Sequence, residues 1–273
     1  MSRELRRLYA NYGPWAVVTG ASDGIGRALA RRLAEAGLSL VLVARREDRL
    51  TELADELRAR HSIETLVLPI DLAVPGASAQ VFARTAALHI GLLVAAAGFG
   101  TSGPFTDAPL DAELGMIDVN CRAVAEACHY FGRRFADQRR GGIVLMSSLL
   151  AFQGVPRAAN YAATKAYIQT LAEGLGRELA EHGVDVVASA PGPIHSGFAA
   201  RAHMVMSMAA PVEVVASATL HALGRKRVVR PGWLSKLLEA SLAVLPRGGR
   251  VWIMNRVMRG MTKHQPAISA RTT

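Results

Sequence analysis

The stretch Trp15–Gly26, WAVVTGASDGIG, decides how this chain of 273 residues folds. An apolar run ends in a glycine-rich turn, and a segment with helical periodicity follows near 24–37. Gly20, Gly24 and Gly26 permit a tight turn and a close backbone approach, and a helix that begins there presents free N–H groups to a phosphate. A glycine-rich turn alone is a weak signal. Its place between a first strand and a helix favours a dinucleotide site over an ordinary turn.

Near-continuous hydrophobic runs recur along the chain, with amphipathic segments between them. Such runs are typical of parallel strands that are buried on both faces of a sheet. The alternation predicts right-handed crossovers and an α/β fold, with a doubly wound (Rossmann) parallel sheet in a single domain. The predicted strands are 15–20, 39–44, 65–70, 92–97, 143–147, 184–190 and 227–230, and the predicted helices lie near 24–37, 46–60, 75–88, 111–138, 160–182 and 212–224.

The charge of the chain is unevenly distributed. With 51% hydrophobic and 20% charged residues the composition is that of a folded protein. Residues 1–224 contain 21 basic and 21 acidic groups, whereas residues 225–273 contain 11 basic groups and one acidic group, Glu239. The formal charge of +10 therefore belongs to the last 49 residues. Because the main body is neutral, the charge does not indicate a nucleic-acid-binding fold.

Cysteine usage and the first residues indicate the compartment. Cys121 and Cys128 are too few for a disulfide framework, and their spacing matches no zinc pattern, so we predict buried thiols and no metal site. The initial MSRELRRLYANYGPW lacks the apolar stretch of a secretory signal, and the uncharged run 85–106 is interrupted by glycine and proline. We expect a cytoplasmic protein.

Two arginines occupy the end of the second predicted strand, where the side chain influences the preference for NAD or NADP. An acidic residue after the second strand would favour NAD, but Arg45 and Arg46 occupy that position. Two guanidinium groups favour the 2′-phosphate of NADP(H); the alternative is that they solvate a helix start. Asp23 would offset part of this attraction. Asp71, after the third strand, is placed to reach an adenine amino group or to cap a helix.

A tyrosine and a lysine carry the expected chemistry. Tyr161 and Lys165 lie four residues apart on a predicted helix and so face the same side. A free tyrosine has a pKa of about 10, and a nearby ammonium group lowers it. Ser148, thirteen positions before Tyr161, follows a strand at the edge where the sites of open α/β sheets collect.

Together these motifs resemble the short-chain dehydrogenase/reductase family over nearly the whole chain, and in particular its ketoacyl- and hydroxysteroid-reductase-like members. The residues that carry the resemblance are, in this order, TGASDGIG (19–26), Asn120 in DVNC, Ser148, YAATK (161–165) and PGPIHS (191–196). The resemblance implies an oxidoreductase that transfers a hydride between NADP(H) and the carbonyl or alcohol carbon of a substrate. One departure is AAAG at 95–98, where the family usually has NNAG and thereby a side-chain amide that helps to anchor the sheet.

The resemblance also implies roles for individual residues. Tyr161 would be the general acid/base, and Lys165 would lower its pKa and bind the nicotinamide ribose. Ser148 would orient the carbonyl, and Asn120 would hold a water molecule of a proton relay. The implied cofactor-binding residues are Gly20, Ser22, Asp23, Gly24, Ile25, Gly26, Arg45, Arg46, Asp71, Leu72, Ala97, Gly98, Asn120, Tyr161, Lys165, Pro191, Gly192, Ile194 and Ser196.

We expect a catalytic domain over 1–230 that includes a substrate lid at about 192–211. The lid is mostly apolar, with Phe198, Met204, Val205, Met206 and Met208. In the family this segment closes over the substrate, which favours a hydrophobic ketone, steroid or acyl chain. The alternative is a helix pair that packs on the core.

Residues 231–273 are predicted to form a basic, amphipathic, helical extension of the same domain. The first candidate helix places Leu234, Leu237, Leu238, Leu242 and Leu245 on one face; the second does so with Val251, Met254, Val257, Met258 and Met261. Tryptophans among basic residues, Trp233 and Trp252, are typical of a segment on an anionic membrane surface. The alternative is docking on the same chain or on a second subunit.

Three functions remain open at this point. The leading one is the NADP-dependent reductase or dehydrogenase. The second is a non-catalytic dinucleotide-binding protein that its tail attaches to a membrane or a partner. The third is an epimerase or dehydratase of nucleotide sugars, which usually has a larger C-terminal domain. The resemblance favours a homodimer or homotetramer built on the helices near 111–138 and 160–182.

Overall fold

A computed structural model describes residues 2–205, 209–233, 235–237, 241, 244–263 and 265. Its strands are β1 (Trp15–Thr19), β2 (Ser39–Ala44), β3 (Thr65–Pro69), β4 (Ile90–Ala95), β5 (Gly141–Met146), β6 (Val184–Ser189) and β7 (Val228–Val229). Within the described residues these form one parallel sheet in the order β3-β2-β1-β4-β5-β6-β7. The order reverses direction between β1 and β4, so the predicted doubly wound sheet is confirmed.

Helices cover both faces of the sheet. They are α1 (Arg3–Tyr12), α2 (Gly24–Glu35), α3 (Glu47–His61), α4 (Ala77–Thr85), α5 (Leu110–Ile117), α6 (Ala123–Gln138), α7 (Ala159–Glu178), α8 (Gly197–Arg201), α9 (Val212–Ala222) and α10 (Arg247–Met261). Alternate residues of a strand point to opposite faces. Val18 accordingly packs in one core layer with Leu29 of α2, whereas Val17 packs in the other with Phe131 of α6. Burial on both sides explains the near-continuous apolar runs.

The segment predicted as one helix over 111–138 is interrupted. Helix α5 passes into a π-helical turn, Asp118–Arg122, before α6 begins. A π turn contains one more residue per hydrogen-bonded ring than an α-helix and often occurs at functional sites. Asn120 lies in this turn and is 1% exposed. The periodicity of apolar residues continues through the turn, so the pattern alone could not show it.

Two further differences concern the start of the chain and the fourth strand. Helix α1 was not predicted, because charged residues obscure its short apolar face. Its Arg7 donates to the carbonyl oxygens of Leu223 (2.7 Å) and Leu220 (2.9 Å). Its Tyr12 donates to Asp185 Oδ2 at 2.7 Å, which ties the chain start to β6. Strand β4 begins and ends two residues before the predicted 92–97.

Candidate active site

The carboxyl ends of the strands open into one cleft of about 650 Å³. This is the size of a pocket that encloses a substantial small molecule. The cleft contains the glycine-rich turn at one end and Tyr161 at the other. Every residue predicted for cofactor binding or catalysis lines it except Asn120, which lies directly behind it. The tertiary structure thus brings together residues that are up to 176 positions apart in the chain, from Gly20 to Ser196.

The glycine-rich turn is shaped by close backbone contacts. Gly20 and Gly24 have φ angles of +69° and +53°, which side chains rarely adopt. A Cβ atom on Gly26 would lie 2.3 Å from the carbonyl oxygen of Gly20. Asp23 caps α2 by accepting from the N–H of Gly24 at 2.7 Å. The turn is therefore a backbone cradle at a helix N-terminus, which fits the pyrophosphate of a dinucleotide.

The arginines that follow β2 are paired with carboxylates. Arg46 lies 3.4 Å from Asp23 Oδ2 and donates to the hydroxyl of Ser22 at 3.3 Å. Arg45 lies 3.8 Å from Asp71 Oδ2. The carboxylate of Asp71 also accepts from the N–H of Ala73 at 3.1 Å, so it caps the loop as well as facing the cleft. The expected offset of the arginine charge by Asp23 is present as a direct ion pair.

The turn after β4 compensates for the family's missing amide. The Thr19 hydroxyl accepts from the N–H groups of Ala96 and Ala97, both at 3.1 Å. The Asn120 side chain accepts from the N–H of Phe99 at 3.1 Å and donates to its carbonyl oxygen at 2.9 Å. The two side chains hold the backbone of this turn from both ends. Asn120 is thus a positioning residue here, and its role in a proton relay stays a prediction.

Tyr161 and Lys165 are buried on the first turns of α7. They are 8% and 6% exposed, and the Lys165 Nζ lies 5.8 Å from the centre of the tyrosine ring. Lys165 Nζ donates to the carbonyl oxygen of Met146, at the end of β5, at 2.9 Å. Ser148 begins the next turn and accepts from the N–H of Leu150 at 3.2 Å. The sheet edge and the start of α7 thereby place three of the four predicted catalytic side chains, Ser148, Tyr161 and Lys165, side by side.

The pKa of Tyr161 differs from the sequence-based expectation. Burial raises it to about 12, and a hydrogen bond with Ser148 partly opposes the rise. Burial also lowers the pKa of Lys165 to about 8. The apolar surroundings disfavour charge on both side chains. Lys165 directs its ammonium group at a carbonyl oxygen, so burial and not the lysine dominates the pKa of the tyrosine. The Tyr161 hydroxyl is therefore protonated at pH 7.

The C-terminal helix covers the cleft. Helix α10 turns Met254 and Met258 inward, where they pack in one cluster with Tyr161 and with Met204 of the lid. Ile253, Val257 and Met261 also line the cleft. The sequence left open whether this apolar face meets a membrane, its own chain or a second subunit, and in the structure it docks on its own chain. Of the other candidate helix, Leu234, Leu238 and Leu242 lie outside the described residues, as do Met206 and Met208 of the lid.

Polar contacts fasten the end of α10, and we call them the C-terminal latch: Arg157, Thr262, Gln265 and Ser102. Arg157 donates to the Thr262 hydroxyl at 2.7 Å and to Gln265 Oε1 at 3.0 Å. Gln265 Nε2 donates to the Ser102 hydroxyl at 2.7 Å and to the carbonyl oxygen of His203 at 3.0 Å. The latch joins the C-terminal segment to the lid and to the loop after β4.

The segment 191–196 connects the sheet to the lid. The carbonyl oxygen of Pro191 accepts from Leu149 N–H at 2.9 Å. The N–H of Gly192 donates to Ser235 Oγ at 2.9 Å. Ile194 bridges to Ala210, and Ser196 caps α8 by accepting from Phe198 N–H at 3.4 Å. Ser235, which is buried, belongs to the extension and was not predicted as a site residue.

Sequence reasoning missed several residues that line the cleft. They are Phe99, Arg201 and the inward face of α10, Ile253, Met254, Val257, Met258 and Met261. The helical spacing of the apolar residues in α10 was visible, but spacing does not say what a helix faces. Nothing in the local pattern distinguished Phe99 or Arg201 from other loop residues.

The two cysteines differ in burial, and only Cys128 is the fully buried thiol that the sequence predicts. Cys128 is buried in α6, and burial raises its pKa to about 12. Cys121 is half-buried in the π turn, and burial raises its pKa as well. Protonated thiols are poor nucleophiles and metal ligands. Among the described residues no group of histidine, cysteine or carboxylate side chains is arranged to hold a metal ion.

In the part of the chain that the structure describes, no helix has both the length and the apolar composition needed to cross a bilayer.

Comparison with known sequences identifies the class of protein. The family of short chain dehydrogenases matches residues 14–204. A 7beta-hydroxysteroid dehydrogenase of Collinsella aerofaciens is 35% identical over 179 residues, which cover 66% of this chain and 68% of that protein. A very-long-chain 3-oxoacyl-CoA reductase of Podospora anserina is 36% identical over 185 residues, covering 66% of this chain and 54% of that protein.

Solved structures lead to the same class. A structure from a study of 7beta-hydroxysteroid dehydrogenase stereoselectivity has a TM-score of 0.84 at 29% identity, and covers 90% of this chain and 98% of its own. A short-chain dehydrogenase from Sphingobium yanoikuyae in complex with NADPH has a TM-score of 0.78 at 29% identity, with coverages of 86% and 97%. The chain belongs to the short-chain dehydrogenase family and is an oxidoreductase. The predicted enzyme class is confirmed, and the NADPH of the second structure agrees with the predicted cofactor.

Proposed function

We propose that this enzyme transfers a hydride between NADP(H) and the carbonyl or alcohol carbon of a bulky hydrophobic substrate, with Tyr161 as the general acid/base. One observation carries the proposal. Buried Tyr161, Ser148 and Lys165 share a single cleft with the glycine-rich turn and with an apolar lid. The non-catalytic alternative is not favoured, because a protein that only binds a dinucleotide has no need for this set of side chains.

Different groups along the cleft would bind different parts of the cofactor. The backbone N–H groups at the start of α2 would hold the pyrophosphate, and Arg45 and Arg46 would face the 2′-phosphate. Lys165 would bind the nicotinamide ribose. When bound, the nicotinamide supplies or accepts the hydride. The reacting end of the cleft lies at the edge of the sheet, where the carboxyl ends of β5 and β6 meet the turn after β4.

Tyr161 provides the proton for reduction. Its pKa of about 12 keeps it neutral at pH 7, so it can donate from Oη to an oxygen that develops negative charge. The hydroxyl of Ser148 stabilises the same oxygen by a hydrogen bond. In the oxidative direction Tyr161 must instead accept a proton, which needs a positive charge nearby to lower its pKa.

The substrate proposal rests on the apolar walls of the cleft. Phe198 packs against the Tyr161 ring, with ring centres 5.2 Å apart, and the methionines of α10 and the lid complete the enclosure. Methionine side chains are flexible and adapt to irregular apolar shapes. The relatives named for steroid and very-long-chain acyl substrates support a ligand of this class.

Replacement of Tyr161 by phenylalanine tests the proposal. Tyr161→Phe removes only the hydroxyl, so we expect turnover of hydrophobic ketones with NADPH to fall by about 10³-fold while NADPH still binds. Product analysis over a panel of steroids, acyl ketones and small ketones measures turnover, and nucleotide fluorescence measures binding. Full turnover by the purified variant, or a wild-type enzyme that reduces none of the panel, would contradict the proposal.

We further propose that the extension 231–273 is part of the catalytic domain and not a separate unit. Helix α10 contributes to the wall of the catalytic cleft, and Ser235 bonds to Gly192. Limited proteolysis tests this proposal. We expect cleavage within the extension to abolish activity, and an active 1–230 fragment would overturn it.

The outer face of α10 supports peripheral membrane contact by a cytoplasmic enzyme. Trp252, Arg256, Arg259 and Lys263 follow one another at helical spacing and are all exposed, opposite to the buried Met254. A tryptophan among cations on one face suits an interface with anionic lipids. We expect the enzyme to float with anionic liposomes at low salt, and a charge-removing Arg256→Gln/Arg259→Gln pair to release it. Failure of the wild type to float would rule the contact out.

Helices α5 and α7 support self-association. Leu114 and Ile117 of α5 and Tyr167 of α7 are large apolar side chains that lie exposed on these helices. Exposed apolar groups of this kind are typical of subunit interfaces. We expect a homodimer or homotetramer in light scattering after gel filtration, and a Tyr167→Glu variant to dissociate it. A monomeric wild-type enzyme would exclude this assembly.

A further inference from the structure

Among the residues that the structure describes, Arg201 lies over the cleft without an acidic partner. It ends α8 in the lid, and its guanidinium carbon is 3.9 Å from the centre of the Phe99 ring. The backbone of Phe99 is held on both sides by the Asn120 amide, so the platform under Arg201 is fixed. A guanidinium that stacks by its face keeps its N–H groups free at the edge. Arg201 can therefore donate to a ligand in the cleft.

The charges at the glycine-rich end of the cleft leave one cation in excess. Arg45, Arg46, Arg201, Asp23 and Asp71 all line the cleft, and Lys165 lies beside Tyr161 at its other end. Asp71 and Asp23 lie within 4.0 Å of Arg45 and Arg46, respectively. Within the described ranges, no carboxylate lies at ion-pair distance from Arg201. Partial burial, and after it the like charges of Arg45 and Arg46, lower the pKa of Arg201. Three arginines that converge on two carboxylates favour an added anion.

The start of α8 rests on the phosphate cradle. A Cβ atom on Gly197 would lie 2.5 Å from Asp23 Oδ2, and one on Gly24 would lie 3.2 Å from Ser196 Cβ. Helix α8 is thus in contact with the glycine-rich turn at its first residue and carries Arg201 about one turn further along. Arg201 therefore lies between the glycine-rich turn, the arginines after β2 and the turn after β4.

We propose that Arg201 is a phosphate-binding residue of the dinucleotide site, supplied by the lid. The inference rests on the proposed use of NADP(H) and assigns a residue to it that no sequence motif marks. Arg201 would donate to an anionic oxygen of the bound dinucleotide while Phe99 supports its face. The phosphate is either the 2′-phosphate or the pyrophosphate. In both cases the bound dinucleotide would contact α8, the helix that carries Arg201.

Dissociation constants for NADPH and NADH test the proposal, measured by nucleotide fluorescence at several salt concentrations. The variants are Arg201→Met, Arg201→Lys and, as a control, Arg84→Met, an exposed arginine of α4 away from the cleft. We expect Arg201→Met to raise the NADPH Kd about tenfold and to weaken its salt dependence. Arg201→Lys should lie between wild type and Arg201→Met, and Arg84→Met should bind as the wild type does.

The two nucleotides distinguish the phosphates. A loss confined to NADPH identifies the 2′-phosphate, and an equal loss for NADH identifies the pyrophosphate; either result supports the proposal. Unchanged Kd values for both nucleotides in Arg201→Met, including the case in which only the KM of the carbonyl substrate rises, would overturn it. A wild-type protein that binds neither nucleotide would instead refute the proposed function.

Discussion

The glycine-rich turn and the cover formed by α10 bound the same cleft, but they are built differently. The turn is defined by backbone contacts, such as the 2.3 Å that a Cβ on Gly26 would leave to the Gly20 oxygen. The cover is defined by side chains: methionines that face inward and the C-terminal latch that fastens the helix end. A site for one invariable ligand can be rigid at the backbone level. A site for a hydrophobic substrate is served by adaptable side chains.

This contrast predicts that the turn tolerates change far less than the cover. A single added methyl group in the turn should weaken NADPH binding and lower the stability. Loss of hydrogen bonds that fasten the cover should raise the KM of the substrate by a smaller factor. Lys165, which lies where the two regions meet, should make the stability depend on pH.

The largest effect is expected for Gly26→Ala. The added methyl group would clash with the backbone of Gly20, which cannot move without opening the turn. We expect the NADPH Kd to rise at least tenfold and the free energy of unfolding to fall by about 2 kcal/mol. Nucleotide fluorescence and urea denaturation measure the two quantities.

Gly174→Ala is the matched control. Gly174 lies in α7, and a Cβ atom there would meet no atom within 4 Å. Because alanine favours the helix, stability should stay the same or rise by about 0.5 kcal/mol. If Gly26→Ala bound NADPH as the control does, the backbone account of the turn would be wrong.

The second prediction concerns the pH dependence of stability. Lys165 has a pKa of about 8 in the folded protein against 10.5 in an unfolded chain. Between these values the unfolded state binds more protons, so the free energy of unfolding rises with pH. We expect a rise of about 2 kcal/mol between pH 8 and 10 that is missing from Lys165→Met. Above pH 10 the raised pKa of Tyr161 acts in the opposite sense, since the unfolded tyrosine loses its proton first.

Urea denaturation at each pH measures this difference between wild type and variant. The comparison cancels the other titrating groups, which both proteins share. Parallel curves for the two proteins from pH 8 to 10 would show that Lys165 is not a buried, easily neutralised amine.

The smallest effect is expected for the C-terminal latch. Arg157→Met removes the bonds to Thr262 and Gln265 and leaves the apolar face of α10 in place. Both bonds are only part-buried, so with about 0.5 kcal/mol for each net hydrogen bond we expect the KM of a bulky ketone to rise about fivefold. The NADPH Kd should not change. Steady-state kinetics with saturating NADPH measures the first quantity.

Gln265→Ala provides an independent break of the same latch, because it removes the contacts to Ser102 and His203. It should raise the same KM in the same direction. Arg84→Met, which touches neither region, is the control. An unchanged KM in both latch variants would mean that α10 holds its place by apolar packing alone.

Prediction from sequence succeeded where a short stretch of residues is enough to define a strand or one face of a helix. Apolar runs located six of the strands to within about two residues, because a strand buried on both faces has no polar alternation. The spacing of Tyr161 and Lys165 placed them on one helix face. Prediction from sequence failed where the spacing of apolar residues does not reveal the local structure. The π turn at Asn120 keeps the apolar pattern, and α1 is dominated by charged residues.

By itself, the sequence determined the doubly wound sheet, the glycine-rich turn between β1 and α2, and the placement of Tyr161 and Lys165 on one helix face. Each of these depends on neighbours along the chain, so a local pattern is sufficient. Only the tertiary structure decided that the basic extension covers the substrate end of the cleft. It also decided that Asn120 holds the Phe99 backbone and that Arg201 faces the same cleft as Arg45. These contacts join residues far apart in the chain, and helical spacing defines a face without naming what it meets.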